Sequence, residues 1–183
     1  MTQPHAKIIA LVGLAGSGKS SAVEYLTEKG FPKIYFGGVI YKAMDEAGIE
    51  KTWDNQQKFR EEIRRREGKD FVIKRVIKNI HDLINAGQNK IVLDGLYTWS
   101  EYKLLKHEFP GQVVVIAIVT PKYLRYQRMA KRTERPMQPH EVDQRDWSEI
   151  ENLEKGGPIA IADYFIINDG SHDAHFCKSP EQC

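Results

Sequence analysis

The stretch KIIALVGLAGSGKS at residues 7–20 constrains this chain more than any other. Lys7 to Val12 is a short apolar run that breaks into glycine, the pattern of a buried parallel strand. Residues 13–20 then fit G-x-x-x-x-G-K-[ST], with Gly13, Gly18, Lys19 and Ser20 at the fixed places. Glycine lets the backbone turn tightly and aim N–H groups at phosphate oxygens without interference from a Cβ. Gly13, Ala15, Gly16, Ser17 and Gly18, continuing through Lys19, Ser20 and Ser21, are therefore expected to cradle a nucleoside triphosphate. Lys19 is expected to reach the β and γ phosphates as a point charge, and the Ser20 hydroxyl to ligate Mg²⁺. The residues behind the loop, SSAVEYLTEKG, read as a helix whose positive end faces the same anion, with Gly30 as its stop. An ordinary glycine turn would need neither Lys followed by Ser nor this strand–loop–helix setting.

Further along, hydrophobic periodicity alternates between short strand-like runs and longer helical ones. Candidate strands are 33–36, 91–93, 113–119 and 164–167. Candidate helices are 39–47, 53–67, 71–86, about 100–107, 121–131 and 141–154. Five strands alternating with helices predict an α/β fold, a five-stranded parallel sheet with helices on both faces. Ligands of such sheets sit outside the carboxyl ends of the strands. The glycine loop, Asp94-Gly95 and Asn168-Asp169-Gly170 each come directly after a candidate strand and should converge on one crevice. Asp94, closing the apolar run IVLD, is expected to hold Mg²⁺ with Ser20.

Two stretches are rich in arginine. Arg60, Arg64, Arg65 and Arg66 are interleaved with Glu61, Glu62 and Glu67, so most should be solvated surface, with one a candidate for an acceptor phosphate. In the second stretch Arg125, Arg128 and Arg132 stand at i, i+3 and i+7, on one face of a helix. Acidic residues are nearly absent between 121 and 133, so this stripe is expected to lack local partners. With Pro136 and Pro139 breaking the pattern, residues 125–145 are expected to form a small arginine-rich lid that closes on phosphate, Arg128 and Arg132 making the contacts.

The chain has 183 residues, 41% of them hydrophobic, enough for one domain that needs no metal or disulfide staple. Its 27 basic and 25 acidic side chains leave +2, which gives no argument for nucleic acid or a membrane surface. The two cysteines, Cys177 and Cys183, stand in the polar tail 172–183 beside His172 and His175. That placement does not suit an extracellular disulfide framework, so a reducing cytoplasm is the expectation, with 1–171 as the single domain. No signal-peptide pattern is visible, and the apolar run 113–119 is too short to span a bilayer.

Taken in this order and at this length, these pieces resemble the nucleoside-monophosphate-kinase group of P-loop kinases, and within it dephospho-CoA kinase and its relatives. GLAGSGKS is similar to the family's phosphate loop. YQRMAKR resembles its lid-entry helix, which implies that Arg128 and Arg132 contact ATP phosphates, with Arg135 or Arg145 at a further lid position. ADYFIINDGS resembles the closing strand and loop beside the adenine, which implies Asn168, Asp169 and Gly170 for the base. LDGLYTW resembles the Asp-Gly turn of adenylate kinases. The resemblance implies a MgATP-dependent phosphotransferase acting on a small, nucleotide-like acceptor, with Lys19, Asp94, Arg128 and Arg132 as the catalytic set. A monophosphate kinase, or a nucleotide-dependent switch whose acceptor site has decayed, are the other readings.

The acceptor half departs from the family. Where dephospho-CoA kinase carries a carboxylate after its second strand, this chain has Gly37-Gly38. Where monophosphate kinases carry arginine after the Asp-Gly turn, it has Tyr97-Thr98-Trp99. Asp94 is then the only carboxylate expected near the γ-phosphate, and Tyr35, Phe36, Tyr41, Tyr97 and Trp99 are the candidate acceptor-side aromatics.

Overall fold

A computed structural model of the chain describes residues 6–170 apart from Lys69 and Glu134. The side chains of Trp53, Asp54, Gln56, Gln57, Arg60 and Arg64 lie outside the described set, as do His172, His175, Cys177 and Cys183 of the tail.

Five strands form one sheet in the order β2-β3-β1-β4-β5: β1 (Lys7–Val12), β2 (Lys33–Tyr35), β3 (Lys90–Asp94), β4 (Val113–Val119) and β5 (Tyr164–Ile167). Every pairing is parallel, and the register sets Leu11 beside Asp94 and Val12 beside Ala117. Parallel neighbours need crossovers, which the helices supply. These are α1 (Lys19–Glu28), α2 (Phe36–Glu46), α3 (Trp53–Glu67), α4 (Phe71–Asn85), α5 (Trp99–Glu108), α6 (Lys122–Ala130), α7 (Pro139–Glu151) and α8 (Gly156–Ala160).

Side chains alternate across the strands and so divide the core. Ile8, Ala10 and Val12 of β1 join Ile91, Leu93, Val115 and Ala117 against α2, α4 and α5. Leu11, Val92 and Ile118 face the other way, onto Val23 of α1. A third, smaller cluster matters for the site: Ala15 of the glycine loop packs with Met129 of α6 and Val142 of α7. The expected α/β architecture with helices on both faces is the observed one. Two local expectations shift. Helix α2 begins at Phe36 and takes in Gly37 and Gly38, and α8, which periodicity did not reveal, forms over GGPIA. Edge strand β5 leaves all four residues exposed. No helix among the described residues is long and apolar enough to cross a membrane.

Candidate nucleotide-binding site

The loop between β1 and α1 has glycine where side chains cannot go. Gly13 has φ +146 and Gly18 φ +97. A Cβ at Gly13 would lie 2.5 Å from the carbonyl oxygen of Ile118, and one at Gly18 would collide with the side-chain amide of Asn168. The loop is thus pressed against the ends of β4 and β5. Thr120 Oγ1 donates to the carbonyl of Ser17 at 3.1 Å, and Asn168 Nδ2 donates to the same oxygen at 2.9 Å. Ser17 Oγ is buried with no hydrogen-bond partner among the described residues.

Around this loop opens a cleft of about 360 Å³. It is lined by residues 15–21, by Tyr35, Asp94 and Tyr97, and by Arg128, Arg132, Arg145, Glu149 and Lys155, with Lys155 lying over the Tyr97 ring. Lys19 folds back on its own loop, its ammonium donating to the carbonyls of Gly13 at 2.7 Å and Leu14 at 3.0 Å. Burial, reinforced by the neighbouring Lys155 charge, pushes the Lys19 ammonium down to about 7. Asp94 ends β3, and burial raises its carboxyl above the usual range against the pull of Lys33 and Lys19. Ser20, exposed in the first turn of α1, lines the same cleft as Asp94. A hydroxyl and a carboxylate opening onto one space beside a phosphate loop fit the oxygen-donor preference of Mg²⁺.

The arginines divide among different tasks. Arg125, expected to be unpaired, is buried and makes a bidentate ion pair with Asp146 of α7, at 3.0 and 2.6 Å, while also donating to the carbonyl of Ala15 at 3.1 Å. Its partner lies on the next helix, 21 residues along the chain. Tyr126 and Lys122 both bind Asp143, so with the Arg125–Asp146 pair three side chains of α6 hold α7. Arg128 is half-buried, its guanidinium donating to Asn168 Oδ1 at 2.8 Å and the carbonyl of Gly170 at 2.9 Å. It also reaches Thr120 Oγ1 at 3.3 Å. It borders the cleft while bracing the loop after β5. Arg132 lies exposed at the cleft margin. Asn168 is buried, and its amide is taken up by Ser17 and Arg128; Asp169 and Gly170 come next in the chain. Arg135, with φ 51, is not among the cleft-lining residues.

Of the expected aromatics, Tyr35 and Tyr97 line the cleft. The Tyr35 ring covers Gly37 and Gly38, where a Cβ would lie 2.5 and 3.2 Å from it. Tyr97 is fixed by its backbone: Glu101 Oε2 accepts the N–H groups of Tyr97 and Thr98, both at 2.9 Å, as half of a capping box on α5. Burial pushes the Tyr97 phenol up, so it stays neutral in ordinary buffers. Phe36 belongs to the core, and Trp99 stacks on Tyr102 with centroids 5.2 Å apart. Arg65 and Arg66 of α3 are exposed and stand away from the cleft lining, Arg66 pairing with Glu67 at 3.0 Å.

Sequence reasoning missed Lys155 and Glu149. The Lys155 ammonium lies 2.6 Å from Glu149 Oε2, and Arg145 Nε holds Glu149 Oε1 at 3.0 Å. Burial opposes the charge of Glu149, yet the Lys155 and Arg145 cations hold its carboxyl below the usual range. Asp94 is therefore not the only carboxylate of the cleft, although Glu149 is the one clamped between two cations. The Arg145–Glu149 spacing of four was a readable hint. A lysine before Gly-Gly carries no such signal.

Comparisons with known proteins agree with this geometry. Residues 9–155 match the family described as AAA domain. A UPF0200 protein of Thermococcus onnurineus is 31% identical over 166 residues, covering 88% of each chain. Among solved structures, a shikimate kinase from Bacteroides thetaiotaomicron superposes with a TM-score of 0.57 at 13% identity, over 91% of this chain and 89% of that one. A dephospho-CoA kinase from Campylobacter jejuni gives 0.54 at 19%, over 92% and 90%. The likeness in fold is thus to small-molecule kinases broadly, not to dephospho-CoA kinase in particular. The chain belongs to the UPF0200 family, built on an AAA domain of the P-loop NTPase kind with a kinase-like fold.

Proposed function

We propose that this protein is an ATP-dependent phosphotransferase acting on a small, nucleotide-like acceptor. The observation that carries the reading is the meeting, in one cleft, of Lys19, Ser20 and Asp94 with Arg128, Arg132 and Arg145. A site that only held nucleotide would have no evident need of cations grouped over the terminal phosphate, whereas transfer develops charge there. Ser20 and Asp94 would hold Mg²⁺, which when bound offsets charge on the β and γ phosphates. Lys19 leaves its loop carbonyls for the phosphates, and Arg132, at the tip of a lid over about 125–145, closes on them. Asn168-Asp169-Gly170 supports the adenine end, and Arg128, seated on that loop, reaches the phosphates from there.

In the transfer, an acceptor oxygen attacks the γ-phosphorus and the bond to the β–γ bridging oxygen breaks, leaving ADP. A hydroxyl acceptor gives up its proton, for which Asp94 is the available base, its carboxyl raised by burial. An ionised phosphate acceptor needs no base. Tyr35 and Tyr97 present flat surfaces against which a ring or base could stack. ADP release measured with dephospho-CoA, ribonucleotide monophosphates and deoxyribonucleotide monophosphates, against an acceptor-free control, tests the reading. Release that rises with one acceptor class is expected; equal consumption with and without acceptor favours the nucleotide-dependent switch, a reading kept by the lack of an acceptor-side arginine after Gly95.

A further inference from the structure

Lys155 is among the most completely buried large side chains of the protein, at 1% exposure. Burying an ammonium is costly, and an apolar residue of similar volume would pin the turn between α7 and α8 at least as well. The surroundings instead hold this charge in one place. Its Nζ lies 2.6 Å from Glu149 Oε2 and 4.8 Å from the centroid of the Tyr97 ring. The preceding residue, Glu154, has φ 53, a left-handed conformation unusual for a glutamate, and the Lys155 N–H closes the turn on the carbonyl of Glu149 at 3.2 Å. Backbone held in a sparsely populated region is a reason to look for a function.

The charge count around Lys155 points to the ligand. Glu149 is shared by Arg145 and Lys155, so the three groups together carry one net positive charge. That charge opens onto the cleft that also contains Lys19. The buried Lys155 and the half-buried Lys19 share one cleft, and two like charges there repel each other until an anion lies between them. The sheet order says which anion. Asn168 and Arg128 mark the β4–β5 side of the phosphate loop, whereas Tyr97 and Tyr35 stand at the ends of β3 and β2 on the opposite side. Lys155, lying over Tyr97, approaches from the β3 side, the side on which the proposed function puts the end of the triphosphate.

We propose that Lys155 is a second phosphate-contacting lysine, held by Glu149 and Tyr97 so that its ammonium grips the transferring γ-phosphoryl group opposite Lys19. This rests on the nucleotide-binding part of the proposed function, and not on the identity of any acceptor.

The test is isothermal titration of the full chain with Mg²⁺ and either ADP or the non-hydrolysable triphosphate AMPPNP. Lys155→Met should weaken AMPPNP by about tenfold or more, as expected on losing a hydrogen bond between charged groups, while changing ADP by less than about threefold. Lys155→Arg should restore most of the AMPPNP affinity. Equal losses for the two nucleotides, or no loss, in a variant whose circular dichroism is native would reduce Lys155 to a structural pin and overturn the proposal. Should Lys155→Met unfold, Lys155→Gln, which keeps an N–H donor on the side chain without the charge, carries the same comparison. A wild-type protein that binds both nucleotides yet phosphorylates no acceptor would sink the kinase reading while leaving this affinity ratio decisive.

Discussion

Asn168 fills the space where a side chain at Gly18 would stand, and its Nδ2 donates to the carbonyl of Ser17 at 2.9 Å across 151 residues of sequence. The loop after the last strand is therefore part of the phosphate loop's support. Its Oδ1 in turn accepts from Arg128 at 2.8 Å. Asn168→Ala leaves a buried carbonyl and a guanidinium short of partners, which should cost about 1–3 kcal/mol. At about 2–4 °C per kcal/mol for a chain of this size, calorimetry should show Tm falling by several degrees, with weaker nucleotide binding. An unchanged Tm would contradict this role.

The Arg125–Asp146 pair ties α6, α7 and the carbonyl of Ala15 into one unit. Asp146→Asn removes the countercharge of a buried guanidinium and should destabilise the protein by about 3–5 kcal/mol in urea unfolding. Replacing both, Arg125→Met with Asp146→Leu, should recover much of that loss. If the double variant is as unstable as the sum of its parts, the pair is not an isolated electrostatic unit.

Lid movement should then be confined to the connection between the two helices. Hydrogen exchange with and without AMPPNP is expected to show added protection at 131–138 and little change at 122–130, where Lys122, Arg125 and Tyr126 already hold α7. Equal protection of 131–138 in both states would mean that Arg132 is ordinary surface.

Stability of the nucleotide-free protein should rise with pH through Lys155. Burial lowers its pKa against the attraction of Glu149, with Arg145 adding to the fall and Asp146 opposing it. Between that lowered value and the ordinary 10.5 the unfolded chain binds more protons than the folded one, so folding gains as pH rises. Lys19, at about 7, acts with the same sign. The stability difference between wild type and Lys155→Met, from urea midpoints, should therefore move in favour of wild type from pH 7 to pH 10. A flat or reversed difference would contradict the buried, charged assignment. At the acid end Glu149, held low, contributes stability that is lost as pH falls below its ordinary 4.5.

The fold, and the meeting of Lys19, Ser20, Asp94, Arg128 and Arg132 in one cleft, were legible because both depend on local pattern. Apolar runs ending in Gly13, Asp94 and Asn168 gave strand ends, and strand ends in a parallel sheet share one edge. What was not legible depends on contacts between distant segments. Arg125 looked free because Asp146 is 21 residues away on another helix. Gly37 and Gly38 looked like a loop because glycine usually marks one, yet the Tyr35 ring lies where their side chains would be and α2 starts one residue earlier. Lys155 and Glu149 carry no motif, and only tertiary packing brings them to Tyr97 and Lys19.

Asp94→Asn addresses the chemistry itself. Loss of a carboxylate that holds metal or accepts a proton should lower turnover roughly 10²-fold or more while leaving nucleotide affinity largely intact. Turnover unchanged in this variant would remove Asp94 from the mechanism.

The most direct measurement tracks the label from ATP carrying ³²P at the γ position, incubated with Mg²⁺, the protein and each candidate acceptor, then separated by chromatography. A phosphotransferase puts label on a small-molecule acceptor, with ADP formed in equal amount, and Lys19→Ala should transfer none. Label found only as inorganic phosphate, at the same rate with every acceptor and with none, would contradict it.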